Sequence, residues 1–531
     1  MSATVNPPTL QILAREPEGF SIWNGPPFAN GQPHIRLERV PCSSAKFSEN
    51  GSRLLVIKST SVISIYDCSN DVTEIRSFEI PSVLAAALSP CGTFLQTFQK
   101  PSNPQDKNVS LWEIKTGVPV YQQFQKNMSK TTWPTIQFSS DETIACRMAT
   151  NEIQFFDAKD FAKGIISKVR IPGVSAMELS KSPGSYVAAY VPESKGVPAS
   201  VQIFSCNKDK QSQAVARRSF FRCSTAQLHW NNGSTGLLVV AQADVDKTNQ
   251  SYYGESKLNY LTTDGSHEGL VPLRKEGPVH DVQWSTSGLE FAVVYGFMPA
   301  KATIFDKKCN PILELGTGPY NTVRWNPKGK FICLAGFGNL PGDMAFWDYS
   351  EKKVLGTTRA ECSVTSEWSP DGCYFMTATT APRLQIDNGI KIFRYDGALY
   401  FKKMFSKLFQ ADWKPEAPER FGGIADLIKS VDTLTIIDQT KKQAEDPKSS
   451  QAPPKASMNS AQKPASYRPP QASMNTTQKP AAYRPPQVKQ AAAVQAELVG
   501  GNASQGPSKN ALRNQKRREK QKEKKAAETV R

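Results

Sequence analysis

Residues 323–336 read VRWNPKGKFICLAG, and the same arrangement returns 43 residues later as SEWSPDGCYFMTA (366–378). Each stretch alternates apolar and polar residues up to a Trp, turns through Pro and Gly, and continues as an apolar run. Val323 and Trp325 lie on one side of the alternation and Arg324 on the other, which predicts a β-strand with one buried face. The glycine in each turn predicts a tight hairpin, because such turns need a positive φ.

The arrangement recurs along the first 440 residues. Aligned on its aromatic or Leu position, it falls at residues 47, 88, 138, 179, 230, 284, 325, 368 and 413, in steps of 41 to 54 residues. A third strand follows in many repeats and ends in an aromatic residue and an acid, as in MAFWD (344–348), which resembles the strand ending of WD repeats. This spacing is typical of four-stranded propeller blades. The sequence therefore predicts an all-β, nine-bladed WD-like β-propeller over residues 1–438.

The ends of the array predict how the ring closes. Trp413 is followed by prolines, whereas LQILARE (10–16) and GFSIWNG (19–25) precede the first repeat as unused strand-like segments. Pairing them into the last blade removes exposed sheet edges. We expect that blade to be shared between about residues 8–30 and 405–437. Seven or eight blades remain open as alternatives, since two of the long steps leave room for irregular blades.

Most of the net charge of +17 lies at the C-terminal end. From Thr440 onward there are 19 of the 65 basic and 6 of the 48 acidic residues, which leaves a net charge of +4 for residues 1–439. Residues 439–508 are rich in Pro, Gln and Ala and contain a 16-residue tandem repeat (456–471 and 472–487). Such a composition buries too little apolar surface to offset its ordering entropy, so we expect a disordered linker. Its Tyr-Arg-Pro-Pro motif is an open candidate for a polyproline ligand.

Residues 509–531 form a basic tail, for which we predict a helix induced by a polyanion. Its straight-chain residues favour helix, but its charges repel one another until phosphates are present. RNA or ribosome contact is the main hypothesis, and a solvated tail or a nuclear localisation patch is the alternative. The candidate RNA-binding residues are Lys509, Arg513, Lys516, Arg517, Arg518, Lys520, Lys522, Lys524 and Lys525.

Reaction centres are not evident in the sequence. It contains no GxxxxGK[ST] loop, no GxSxG elbow and no HExxH, and its ten Cys include no CxxC pair. His229 and His280 are expected to be packed or hydrogen-bonded strand residues. We therefore predict no catalytic residue, no metal and no cofactor. With no apolar run of about 18 residues and no secretory signal pattern, we expect a cytoplasmic monomer without a membrane partner.

Three successive repeats carry unusual loops after their second strand: YGFMPAKA (295–302), GFGNLPGD (336–343) and TATTAPRLQIDNG (377–389). The shared topological position predicts that all three lie on one face. Loops that combine Gly or Pro with apolar or basic side chains suit partner docking, although Gly and Pro also simply shape turns. The candidate docking residues are Phe297, Met298, Lys301, Phe337, Asn339, Leu340 and Arg383.

These loops, together with NTVRWNPKGKFICLAGFGNLPGDMAFWD (321–348) and ALRNQKRREKQKEKKAAE (511–528), resemble the eukaryotic translation initiation factor 2A family. The resemblance implies a nine-bladed propeller with a flexible basic C-terminal region. It implies binding of the small ribosomal subunit and of initiator methionyl-tRNA without GTP, in alternative or stress-related initiation, with mRNA and other initiation factors as further partners. Animal members have an additional charged C-terminal segment that has no counterpart before Arg531, so functions of that segment are in doubt.

Two other functions remain open from the sequence. One is a ribosome-associated WD-repeat scaffold that binds proteins but delivers no tRNA. A variant of it resembles subunit b of initiation factor 3, but that subunit has an RNA-recognition domain before its propeller, and here the repeats begin within the first few tens of residues. The other is a propeller enzyme, which four His in 531 residues disfavour.

Overall fold

Nine four-stranded antiparallel sheets make up the described part of the chain, which confirms the nine-bladed propeller. The structure, a computed structural model, describes residues 7–433 except 104, 127, 130, 208, 210–212, 244–254 and 382. The chain divides into two units, Met1–Ser449 and Ser450–Arg531, and every described residue belongs to the first. The predicted linker (439–508) and basic tail (509–531) lie outside the described residues.

The strands are numbered in chain order. Three precede the first complete blade: β1 (Gln11–Glu16), β2 (Gly19–Asn24) and β3 (Ile35–Val40). Blades one to four contain β4 (Ser44–Phe47), β5 (Arg53–Ile57), β6 (Val62–Asp67), β7 (Thr73–Glu79); β8 (Val83–Leu88), β9 (Phe94–Gln99), β10 (Val109–Glu113), β11 (Pro119–Gln123); β12 (Ile136–Phe138), β13 (Ile144–Ala149), β14 (Glu152–Asp157), β15 (Ile165–Arg170); and β16 (Ala176–Leu179), β17 (Tyr186–Val191), β18 (Ala199–Ser205), β19 (Ala216–Phe220).

Blades five to eight contain β20 (Thr225–Trp230), β21 (Gly236–Ala243), β22 (Glu255–Thr262), β23 (Glu268–Leu270); β24 (Val279–Trp284), β25 (Glu290–Tyr295), β26 (Ala300–Asp306), β27 (Pro311–Gly318); β28 (Thr322–Trp325), β29 (Phe331–Ala335), β30 (Asp343–Asp348), β31 (Lys353–Arg359); and β32 (Thr365–Trp368), β33 (Tyr374–Thr379), β34 (Gly389–Arg394), β35 (Leu399–Met404). The last strand is β36 (Gln410–Trp413). Short 3-10 helices span Ala29–Gly31, Phe161–Lys163 and Pro418–Phe421. An α-helix, α1, begins at residue 424 and is described as far as residue 433.

The first strand of each blade is the innermost one. Neighbouring first strands contact one another, as β24 does β28 and β32 does β36, while the fourth strands form the rim. Val323 and Trp325 on the first strand of blade seven are buried between blades. In blade eight, Gly372 lies in the hairpin turn after the first strand and has φ +77°. The predicted alternation and turn conformation are therefore confirmed. Since successive strands alternate in direction, loops after second strands and connections between blades share one face, which we call the upper face.

Indole groups join adjacent blades on the inside of the ring. At four blade junctions the Trp at the end of an inner strand donates its Nε1 hydrogen to a backbone carbonyl on the inner strand of the preceding blade. These bonds run from Trp230 to Glu178 (2.9 Å), from Trp284 to His229 (2.9 Å), from Trp368 to Arg324 (2.9 Å) and from Trp413 to Glu367 (3.3 Å). A buried indole needs such a partner, so the recurring Trp fixes each blade against its neighbour.

The ring closes through β36, which pairs antiparallel with β1, with Trp413 opposite Ile12. Blade nine thus takes its inner strand from the C-terminal side and β1, β2 and β3 from the N-terminal side. Of the described part of the predicted C-terminal share, residues 405–433, only Gln410–Trp413 enters this blade.

The chain after β36 contains a helix because its apolar residues recur at helical spacing. Ile424, Leu427, Ile428 and Val431 form one stripe that packs against the core between blades seven and eight and the core between blades eight and nine. Asp432 in α1 pairs with Arg394 at the end of β34 and accepts a hydrogen bond from the Tyr395 hydroxyl at 3.1 Å. This packing fixes α1 against blade eight.

Candidate binding surfaces

The three loops after the second strands of blades six, seven and eight lie on the upper face, since they connect β25 to β26, β29 to β30 and β33 to β34. In blade six, Met298 is 44% exposed and Phe297 is half-buried. Lys301 already has an acidic partner, because its Nζ lies 2.8 Å from Glu314 Oε1 on β27. The exposed feature of this loop is therefore Met298 rather than the lysine.

The side chain of Asn321 holds the loop of blade seven in place. The amide of Asn321 donates to the Phe337 carbonyl at 2.8 Å and accepts from the Phe337 N–H at 3.0 Å. Phe337 is only 7% exposed and packs in the core between blades seven and eight, so it cannot take part in the docking surface for which the sequence suggested it. Asn339 is exposed and Leu340 is half-buried.

Arg383 joins the loops of blades seven and eight. It is exposed, and its Nη2 lies 2.9 Å from the position that a β-carbon on Gly338 would occupy. Glycine with φ +75° therefore lets the guanidinium group lie directly against the backbone of the neighbouring loop. The structure brings Arg383 and the Asn339 loop together, whereas the described residues show no side-chain bond from either to the Met298 loop. Phe297 instead borders a cavity of about 930 Å³ beside Lys275 and Leu273.

Polar residues of the inner strands line a central cavity of about 1310 Å³. Gln283, Arg324, Glu367 and Asp412 occupy the position just before the aligned aromatic residue in four successive blades, so the ring places them side by side. Arg324 Nη1 lies 2.8 Å from Asp281 Oδ2 in the preceding blade. His229 holds the same position in blade five, and burial lowers its pKa. The described residues contain no group of three or more His, Cys, Asp or Glu placed to hold a metal ion.

The carboxyl group of Glu367, which lines this cavity, makes the free energy of unfolding depend on pH. Loss of solvation of this carboxyl group inside the ring, and to a smaller extent the nearby Asp412 carboxylate, raise its pKa from 4.5 to about 7. The folded chain binds this proton more tightly than the unfolded chain, so the group lowers the free energy of unfolding as the pH rises through that window. We expect Glu367→Gln to stabilise the chain at pH 8 by about 1 kcal/mol, since water in the cavity screens the charge.

The gain from Glu367→Gln should disappear at pH 4. Urea unfolding at both pH values measures it, with the exposed Glu361 changed to Gln as the control. An equal effect of Glu367→Gln at pH 4 and pH 8 would show that the carboxyl group titrates normally in the folded ring.

A surface that the sequence analysis did not single out lies where blade eight meets blade nine. Here the segment FKKMFSKLF (401–409) interleaves aromatic and basic residues on β35 and the connection that follows it. Arg15 of β1 faces this connection and lies 4.8 Å over the ring of Phe409. The alternation of Phe and Lys is a signal readable in the sequence, but the contribution of β1 depends on closure of the ring.

The amino-acid sequence that forms these surfaces is similar to that of a known protein family. A family model described as eukaryotic translation initiation factor eIF2A matches residues 218–411, which include all seven candidate docking residues. Eukaryotic translation initiation factor 2A of Schizosaccharomyces pombe is 35% identical over 411 residues, covering 76% of this chain and 70% of that protein. The protein of the same name from Dictyostelium discoideum is 33% identical over 422 residues, covering 78% and 68%.

The chain belongs to the eukaryotic translation initiation factor 2A family. A solved crystal structure of a eukaryotic initiation factor agrees, with a TM-score of 0.68 and 32% identity over 77% of this chain and 99% of that one. The resemblance seen in the sequence is thereby confirmed, and with it a role in translation initiation, which points to partners in the initiation machinery. No helix in the described ranges is long and apolar enough to cross a membrane. The nine candidate RNA-binding residues of the tail, from Lys509 to Lys525, lie outside the described residues.

Proposed function

We propose that the chain binds the small ribosomal subunit in the cytoplasm and promotes binding of initiator methionyl-tRNA to it without GTP. Membership of the initiation factor 2A family, at 35% identity over 76% of the chain, is the observation that carries this proposal. The charge distribution supports it, because the segment from Thr440 to Arg531 has a net charge of +13. Dense positive charge favours nucleic acid by releasing counterions from the phosphate backbone.

We assign different roles to the ring and to the tail. A closed propeller with indole bonds between blades is a rigid platform, and its upper-face loops are placed to contact proteins or the ribosome. The basic tail (509–531), tethered by the linker (439–508), supplies phosphate contacts. The proposal assigns no catalytic residue and no cofactor, and it describes a monomer with mRNA and other initiation factors as further partners.

Equilibrium binding of the full-length chain to initiator and to elongator methionyl-tRNA, over a salt series and without nucleotide, tests tRNA recognition. We expect tighter binding of the initiator species and a steep decrease in affinity with salt. Equal affinity for both tRNAs would reduce the proposal to general RNA binding.

A ribosome-associated scaffold is the second candidate, because Met298 and Ile386 on upper-face loops are 44% and 69% exposed, as expected of a protein-docking surface. Sedimentation with small subunits distinguishes the two functions. A chain that sediments with the subunit but leaves the amount of bound initiator tRNA unchanged is a scaffold.

A further inference from the structure

Five cations that are described in full lie around the outer part of blade eight, three of them where it meets blade nine and two on its face toward blade seven. They are Arg15 on β1, Lys391 on β34, Lys402 and Lys403 on β35, and Lys407 in the connection to β36. We call these five residues the junction cluster. We propose that the junction cluster binds the phosphate backbone of RNA, which makes the propeller a second RNA contact besides the tail. This inference rests on the proposed RNA-binding function and gives it a place on the ring.

Aromatic rings, rather than carboxylates, hold three of these cations. Lys403 Nζ lies 4.3 Å from the ring centre of Trp23 and 5.5 Å from that of Phe405. Those two rings stack on each other at 5.8 Å with an angle of 8° between their planes. The rings fix the ammonium group in place through cation–π attraction. This holds β35 of blade eight against β2 of blade nine.

A second ring is shared by two cations. The Arg15 guanidinium carbon lies 4.8 Å from the centre of Phe409, and Lys407 Nζ lies 5.2 Å from the same centre. The backbone N–H of Phe409 donates to the Arg15 carbonyl at 2.8 Å, so the two chain segments are bonded at this point. Two positive charges are therefore held close together by one neutral side chain.

This arrangement leaves the charges uncompensated. Among the described residues no carboxylate lies within ion-pair distance of any member of the junction cluster; Asp412 acts on Arg15 only from further away. Other lysines of the ring are paired, for example Lys58 with Glu74 at 2.8 Å and Lys330 with Asp348 at 3.0 Å. A cation held by a ring keeps its full charge for an external anion, whereas one in an ion pair does not.

Lys391 and Lys402 extend the positive surface toward the rim. They are direct partners in the register between β34 and β35, so their side chains share one face of the sheet, the face of Phe393 toward blade seven. Lys403 lies on the opposite face, toward blade nine, so the outer strand β35 carries positive charge on both of its faces. Like charges directly opposite each other destabilise a sheet. An anion between the two ammonium groups removes this repulsion, which is the behaviour expected of a phosphate site. Because β35 is the outermost strand of its blade, a ligand as large as a folded RNA can reach it.

RNA is the polyanion that we choose for this surface, since the proposed function already brings the chain against tRNA and the ribosome. An acidic protein is the competing ligand. Both would be attracted by the net charge, but RNA binding releases condensed counterions, so its affinity falls steeply with salt in proportion to the number of phosphates contacted.

The test uses the full-length chain with Lys391, Lys402, Lys403 and Lys407 all changed to Gln. The probes are initiator methionyl-tRNA, a 20-nucleotide polyuridylate and polyglutamate, each over a salt series. We expect the variant to bind both RNAs about 10- to 100-fold more weakly near 0.1 M salt, with a salt slope smaller by about 3. The same four positions changed to Arg should bind like the wild type, since Arg keeps the charge and the cation–π contacts.

A matched control removes four lysines elsewhere, at Lys307, Lys308, Lys352 and Lys353 on blades six and seven, and should have little effect on affinity. Thermal unfolding of all variants checks that the ring is intact. RNA affinity of the Gln variant equal to that of the control overturns the inference while leaving the proposed function in place.

Three other outcomes are equally decisive. Loss of polyuridylate binding in a chain whose wild type shows no preference for initiator tRNA supports the junction cluster and contradicts the tRNA proposal. Polyglutamate bound by the wild type as tightly as RNA, and lost in the Gln variant, assigns the surface to an acidic protein and overturns the RNA inference. A wild-type chain that binds neither RNA overturns both.

Discussion

Replacement of Trp413 by Ala is expected to lower the free energy of unfolding by about 3–5 kcal/mol, the usual cost of removing a buried aromatic side chain. Trp413 is 3% exposed and packs in the core that blades eight and nine share. It lies on the one described strand that joins the C-terminal side of the array to β1. The substitution therefore weakens both a core and the closure of the ring.

Because Trp413 lies where the ring closes, we expect its substitution to destabilise blade nine more than the other blades. The pairs Ile12–Trp413, Leu13–Asp412 and Ala14–Ala411 hold β36 to β1. When the indole is removed, this pairing should open before the other blades do, so the amides of β1 should lose hydrogen-exchange protection first. Chemical denaturation gives the stability, and hydrogen exchange followed by mass spectrometry locates the opening.

Trp413→Phe is the matched control. It keeps an aromatic ring in the core and removes the Nε1 hydrogen bond to the Glu367 carbonyl. We expect it to cost about 1–2 kcal/mol, from one hydrogen bond and the smaller ring. A loss below 1 kcal/mol for Trp413→Ala, or uniform loss of protection across the blades, would contradict the closure described for blade nine.

The second large effect is expected from the basic tail. Changing seven residues to Gln removes seven positive charges; they are Lys516, Arg517, Arg518, Lys520, Lys522, Lys524 and Lys525. If each contacts one phosphate, the slope of log affinity against log salt should fall by about 5, at roughly 0.7 per contact for single strands. Affinity for tRNA near physiological salt should fall by about 100-fold or more.

A second tail variant tests whether RNA affinity depends on the positive charge or on the identity of the side chains. A variant with the five tail lysines of this set changed to Arg keeps the charge and should bind as the wild type does. The unfolding transition of the propeller should not move in either variant, because the substitutions lie outside the ring. Filter binding or fluorescence anisotropy with labelled initiator tRNA measures the slope, and an unchanged slope in the Gln variant would remove the tail from the RNA interface.

Much of the ring could be predicted from the sequence because each blade repeats one local pattern. Alternation around Arg324 identified the inner strand, and the hairpin glycines identified its turn. Closure was readable in outline, since Trp413 lacks following strands and the N-terminus has spare ones. The share of each end was not readable. The predicted C-terminal share extended to residue 437, but the apolar residues after Phe421 recur at helical spacing and form helix α1 instead of a strand.

Individual side chains of the candidate surfaces were harder to predict. Phe337 stands between two glycines in a loop, which suggests exposure, but Asn321 bonds both of its backbone groups and holds the ring in the core. The junction cluster depends on contacts between residues nearly 400 positions apart, such as Arg15 with Phe409. Such contacts exist only after the ring has closed, so local pattern does not reveal them.

The most direct test of the account is retention of initiator methionyl-tRNA on purified small ribosomal subunits, without GTP, over a salt series. It compares the full-length chain with a variant that ends at Asp438. We predict that the full-length chain promotes retention and that the shortened chain, which keeps the ring and the junction cluster, promotes it weakly and only at low salt. If both chains bind the subunit and neither increases tRNA retention, the claim of tRNA delivery is contradicted and the scaffold function replaces it.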